Sequence, residues 1–160
     1  MKDIIKGFLK DNNIPFDEIT HNPVFTMVDM KNEKIDTKCT LCKNLFLRDA
    51  KGKRHFLITA SDESNIDLAR LGNELGTKLS FASQRRIDKY LGSFGGCISA
   101  LGIIFDKESE VEIILDDALI GKEKIGLHPN VNTYTLIISE ADLEQYITLS
   151  QHSFIYKKFK

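Results

Sequence analysis

Lys43-Asn44-Leu45-Phe46-Leu47-Arg48, a break at Asp49-Ala50-Lys51-Gly52, and then His55-Phe56-Leu57-Ile58-Thr59 form the stretch that decides the fold. Both runs are rich in apolar and aromatic side chains. The break holds the Asp and Gly that tight turns favour, so the pair predicts a hairpin. On its C-terminal side, Ile66, Leu68, Leu71 and Leu75 share one side of a helix that Gly76 closes. Ser83 caps a further helix, Gln84 to Leu91, ended by Gly92. Strands are expected at Ile103 to Phe105, Val111 to Leu115 and Tyr134 to Ile138. Ser139, with Glu140 and Asp142 in the first turn, starts a last helix carrying Leu143, Tyr146 and Ile147. On the N-terminal side, Phe16 to Thr20 reads as a short strand and His21-Asn22-Pro23 as a turn. Thr26 with Asp29 three residues later caps a helix running to about Glu33. Strands and helices mix without regular βαβ alternation. The expectation is an α+β domain, a mixed or mainly antiparallel central sheet flanked by helices.

The chain has 160 residues, which fits a single domain over 1–160 and is enough to bury a core without disulfides. No run of about 18 apolar residues predicts a membrane helix. Met1 to Asn12 sets Asp3, Lys6 and Lys10 among Ile4, Ile5, Phe8 and Leu9, an amphipathic helix and not a secretory leader. A cytoplasmic location is expected. The net charge of −1 excludes a protein that grips many phosphates, and leaves room for a small local contact with nucleic acid. Cys39 and Cys42 form a CxxC and Cys97 stands apart. A zinc site needs more ligands than that, and a redox CxxC opens a helix, whereas this one leads into an apparent strand. Ordinary thiols are expected.

Several stretches, in this order, resemble the freestanding prolyl-tRNA editing domains, above all the bacterial Ala-tRNA(Pro) deacylases. They are His21-Asn22-Pro23-Val24-Phe25-Thr26, the Lys43 to Asp49 stretch, Leu79-Ser80-Phe81-Ala82-Ser83, and Gly95-Gly96-Cys97-Ile98-Ser99-Ala100-Leu101-Gly102. Leu115-Asp116-Asp117-Ala118-Leu119 and Leu127-His128-Pro129-Asn130-Val131-Asn132-Thr133 complete the set. The resemblance spans nearly the whole chain. It implies an ester hydrolase acting in trans on mischarged tRNA(Pro), most of all Ala-tRNA(Pro), with no metal and no cofactor. The implied partners are the acceptor end of aminoacylated tRNA and prolyl-tRNA synthetase, with no membrane. One departure stands out: aligned from Gly96, the family's GxxxP loop has Ala100 in place of proline. That change bears on amino-acid preference. It keeps open a Ser-, Thr- or Cys-charged substrate, as well as a non-catalytic tRNA-sensing module.

The resemblance places the family's essential lysine at Lys43, where an ammonium at neutral pH serves as an electrostatic clamp; the alternative is a strand-edge lysine reaching to water. Gly95 and Gly96 offer unobstructed main-chain N–H groups for an oxyanion, though glycines also make plain turns. His128 matches a family position and either orients the terminal adenosine or the attacking water, or holds its own loop. His21 is equally open, while His55 and His152 look incidental. Phe25, Met27 and Met30 suit the floor of a small apolar pocket, or simply the core of a short helix. Thr26, Asn44, Ser99 and Ala100 complete the expected substrate contacts. Ser99 has no histidine–acid pair at recognisable spacing and is not read as a nucleophile. Lys38, Lys78, Arg85, Arg86 and Lys89 are candidate phosphate contacts, or solvated surface.

Overall fold

The computed structural model describes residues 2–92, 97–129 and 131–159. The expected hairpin is present as β2 (Thr40–Arg48) and β3 (His55–Ser61), antiparallel and in register from Cys42 opposite Ser61 to Arg48 opposite His55. Its loop is tied by Asp49, whose Oδ1 accepts the Lys53 and Arg54 N–H groups at 2.7 and 3.0 Å. Gly52 has φ +68°, and a Cβ there would meet the Arg86 guanidinium at 2.7 Å, so only glycine lets that side chain lie across the turn.

Around the hairpin, the described strands form one sheet in the order β1-β7-β6-β2-β3-β5-β8, with β4 also paired to β2. Here β1 is Asp17–Thr20, β4 Ser80–Phe81, β5 Val111–Asp116, β6 Ile125–Leu127, β7 Tyr134–Ile138 and β8 Phe154–Lys157. The pairs β3·β5, β5·β8 and β2·β6 are parallel and the others antiparallel, so the mixed α+β expectation holds. The helices are α1 (Lys2–Asp11), α2 (Met27–Asn32), α3 (Leu68–Leu75), α4 (Gln84–Leu91) and α5 (Glu140–Leu149). Side chains cap four of them at the expected kind of residue: Thr26, Asp67, Ser83 and Ser139 each accept a first-turn N–H. None is long and apolar enough to cross a membrane.

The Ile103–Phe105 strand is not formed. Ala100–Phe105 is a 3-10 helix started by Ser99, whose hydroxyl accepts the Leu101 N–H. Burial on all sides suits a buried turn as well as a strand, so an apolar run alone does not separate the two. Here the Tyr146 hydroxyl, donating to the Leu101 carbonyl, holds the turn against α5.

The sheet separates two apolar layers. Leu57, Ile113 and Leu115 face the larger one with α1, α4 and α5, while Leu47, Phe56, Ile58 and Ile114 face α3. A third cluster joins Val24 and Met30 to Ile35 and Leu41. Cys39 sits beside this cluster, its Sγ donating to the Ile35 carbonyl and filling the space over Gly126, where a Cβ would come within 2.6 Å of it. Cys42 belongs to the larger layer. The two CxxC thiols therefore serve different clusters, and burial pushes the Cys39 thiol up to about 11 and raises Cys42 further.

Gly126→Ala should cost about 1–3 kcal/mol of stability in urea unfolding through overpacking. Cys39→Ala should restore part of that loss in the double variant, and strictly additive losses would count against this contact.

Candidate active site

The site begins with a gap along one strand. One edge of β2 pairs with β3 from Cys42 to Arg48, but the other edge is shared. Thr40 and Leu41 pair with β6, and Leu47 and Arg48 with β4. Between these two short partners, β2 is lined by neither. Thr40 N–H donates to the Lys124 carbonyl and the Phe46 carbonyl accepts from Ala82, both across this edge. Because main-chain groups of alternate residues point the same way, those of Cys42 and Asn44 also point toward the gap.

A cleft of about 360 Å³ opens there, lined by Val24 to Met27 and Met30 on one side, Cys42, Lys43 and Asn44 on the strand, and Cys97, Ile98 and His128 beyond. Consecutive strand residues cannot all present side chains to one face. Their joint presence means that the strand meets the cleft edge-on. The side chains diverge accordingly. Asn44 lies on the larger-core face, where its Oδ1 accepts the Thr59 hydroxyl at 2.7 Å. Lys43 shares the α3 face with Leu45 and Leu47, and its ammonium donates to the Ser64 carbonyl. An ammonium carries three donors, so that bond leaves others to offer.

His128 Nδ1 faces the Tyr134 carbonyl at 2.9 Å. A carbonyl can only accept, so Nδ1 carries the proton and a neutral ring presents Nε2 as acceptor. Burial pushes its pKa below the usual imidazole range, the Tyr134 bond opposes this, and nearby His21 adds to the depression. The two rings meet edge-on at 6.0 Å. His21 is itself fixed by the Asn22 carbonyl and the Thr135 hydroxyl, both at 2.8 Å.

The first turn of α2 is held by a reciprocal cap. Thr26 Oγ1 accepts the Asp29 N–H, while the Asp29 carboxylate accepts the Thr26 and Phe25 N–H groups. Thr26 thus spends its hydroxyl on the helix. Met30 is buried and Met27 half-buried, as a pocket floor requires. Phe25 differs: it is 79 % exposed, so it stands at the mouth and not on the floor.

Of the expected contacts, the cleft gathers Phe25, Thr26, Met27, Met30, Lys43, Asn44 and His128. Ser99 and Ala100 do not line it. Both are fully buried, the first capping the 3-10 helix and the second opening it. That is a position where the family's proline would also fit, since a first helical residue needs no N–H partner. Gly95, Gly96 and Asn130 lie outside the described residues. Arg86 is turned inward, donating to the Gly52 carbonyl and to His55 Nε2 at 2.9 and 2.8 Å, which withdraws it from the phosphate candidates. It also shows that His55 is part of the core. Lys38, Lys78, Arg85 and Lys89 are exposed. Sequence reasoning missed Val24, Cys42, Cys97 and Ile98 as cleft residues. Cys42 and Cys97 directly adjoin Lys43 and Gly96, and that adjacency was the available signal. Among the described residues, no group of three metal-ligating side chains occurs.

Residues 21–146 match the model of the aminoacyl-tRNA editing domain, and the chain belongs to that family. It is an aminoacyl-tRNA deacylase, a hydrolase that binds mischarged tRNA. It is 38 % identical over 154 residues to the prolyl-tRNA editing protein ProX of Acetoanaerobium sticklandii, covering 96 % of this chain and 94 % of that one. It is 32 % identical over 158 residues to the prolyl-tRNA synthetase associated domain-containing protein 1 of Danio rerio, covering 97 % and 85 %. The fold matches the crystal structure of a protein described as a candidate trans-editing enzyme for prolyl tRNA synthetase, with a TM-score of 0.71, 14 % identity and coverage of 99 % and 96 %.

Because the folded chain resists protonating His128 and the unfolded chain does not, stability should fall as pH drops below about 6.5. Urea unfolding between pH 7 and pH 5 should show a shallower decline for His128→Asn. Parallel curves would contradict a half-buried neutral ring. His55, depressed chiefly by burial, sustains the remaining slope.

Proposed function

We propose that this chain acts in trans on mischarged tRNA(Pro) in the cytoplasm, with Ala-tRNA(Pro) as its main substrate and prolyl-tRNA synthetase as the source of that product. The observation that carries this is the edge-on cleft, which sets main-chain groups, a lysine and a neutral histidine around one small, partly apolar space. A synthetase pocket shaped for proline gains only about 1–3 kcal/mol of discrimination per missing methylene. A second pocket that admits alanine and clashes with proline supplies the rest. Met27, Met30 and Val24 give this cleft an apolar wall of that kind.

The chemistry needs no covalent step. Water attacks the ester carbonyl carbon, the bond to the terminal ribose oxygen breaks, and that oxygen leaves with a proton. The products are the free amino acid and the tRNA. Lys43 contributes positive charge near the developing oxyanion, joined by N–H groups of the β2 edge. The acceptor Nε2 of His128 is suited to hold the attacking water or a ribose hydroxyl. Phe25, at the mouth, is suited to stack on a terminal base. Ser99 takes no part as nucleophile, since its hydroxyl is buried in a helix cap.

One observation favours a second substrate class. Asn44 and Cys42 bring polar and polarisable groups to the cleft, which a seryl, threonyl or cysteinyl side chain could engage.

Purified protein should release alanine from Ala-tRNA(Pro) faster than serine, threonine or cysteine from the same tRNA, and should leave Pro-tRNA(Pro) intact. Lys43→Ala should lower the rate about 10²-fold or more with the fold preserved. Preferential release of serine, threonine or cysteine would transfer the assignment to the second class, and an undiminished rate in Lys43→Ala would remove the lysine from the mechanism.

A further inference from the structure

Asp116 ends β5 and is fully buried. A carboxylate in such a place is costly unless it is bonded on several sides. Its Oδ2 accepts the Ser61 N–H at 3.0 Å and the Ser64 hydroxyl, and its Oδ1 accepts the Ala118 N–H at 3.0 Å. Among the described residues, no cation pairs with it directly. A hydrogen-bonded link to a positive charge runs through Ser64, whose carbonyl accepts the Lys43 ammonium.

The placement of these groups follows from strand alternation. Leu45 and Leu47 on β2 and Ile114 on β5 share the α3-side layer. Lys43 and Asp116, two residues away along their strands, fall on that same side. The turn leaving β3 bridges them. It is closed by Ser64 N–H donating to the Ser61 carbonyl and pinned to β2 by Asp62 N–H donating to the Leu41 carbonyl. Asp116 grips this turn at two points, one of them the side chain of the residue whose carbonyl holds the lysine.

We infer that Asp116 is a positioning residue for Lys43, acting through the Ser64 hydroxyl to fix the carbonyl that aims the ammonium at the mouth of the cleft. The inference rests on the catalytic reading of Lys43. It gives the Leu115 to Leu119 stretch a task in that same site, one that its sequence alone did not disclose. The buried carboxylate and the ammonium are then opposite ends of one hydrogen-bonded path. Loosening the middle should cost rate through misplacement, without removing either charge.

The test is a coupling measurement on Ser64, whose side chain can be removed while its carbonyl stays. Single-turnover deacylation of Ala-tRNA(Pro), with excess enzyme, is compared for the parent chain, Ser64→Ala, Ser64→Thr, Lys43→Ala and Ser64→Ala/Lys43→Ala. Ser64→Ala should lower the rate about ten- to hundredfold, with the enzyme concentration for half-maximal rate little changed. Ser64→Thr, which keeps the hydroxyl, should recover most of it. In the Lys43→Ala background, Ser64→Ala should cost nothing further, because the group it positions is gone. A merely structural hydroxyl would lower the rate equally in both backgrounds, and that result overturns the relay. So does full activity of Ser64→Ala beside an impaired Lys43→Ala, which leaves the lysine's own role standing. A fully active Lys43→Ala removes both.

Discussion

The pairing of β2 with β3 is the constraint from which the rest of the molecule takes its order. Seven opposed residue pairs, from Cys42–Ser61 to Arg48–His55, fix where every side chain of both strands points. A slip of one residue would send Lys43 into the larger core and Phe46 toward α3. The register is guarded at the hairpin by Asp49, which accepts two N–H groups across the loop, and by Arg86, which reaches over Gly52 to His55. It is guarded from the sides by parallel β5 and by the short partners of β2.

The same constraint builds the cleft. Because β6 and β4 each cover only the ends of the second edge of β2, the middle is left facing the cleft. α2, set at its angle by the Thr26–Asp29 cap, closes one flank, and His128, held by the Tyr134 carbonyl, closes another. Much of the site is thus main chain and helix cap. Relatively few side chains need to be special for the geometry to form, and those few are fixed by neighbours that do other work.

This division explains what the sequence could disclose. Helix caps were legible because Thr26, Ser83 and Ser139 act locally, on N–H groups three residues away. The hairpin was legible because both strands and the turn lie in one continuous run. The short strands β4, β6 and β8 were not, since two to four residues carry no usable period and form only because an edge is waiting for them. The Ile103–Phe105 run was misread as a strand because its apolar character reports burial and not shape. At the site, Lys43, Asn44 and the Thr26 segment all came with the resemblance. The exposure of Phe25, the full burial of Ser99 and the commitment of Arg86 to the core depend on how distant segments pack together, which no local pattern encodes.

An unpaired stretch of β-edge is ordinarily a hazard, because it can recruit strands from other molecules into fibres. Here, among the described residues, the opening runs from Cys42 to about Leu45, roughly 13 Å at the usual rise per residue, and is bracketed by strands that are already paired. A foreign strand long enough to bind stably would collide with those brackets, whereas a compact ligand would not. The flanking strands therefore act as bumpers, and a feature that would otherwise threaten solubility becomes a ledge that sorts visitors by length.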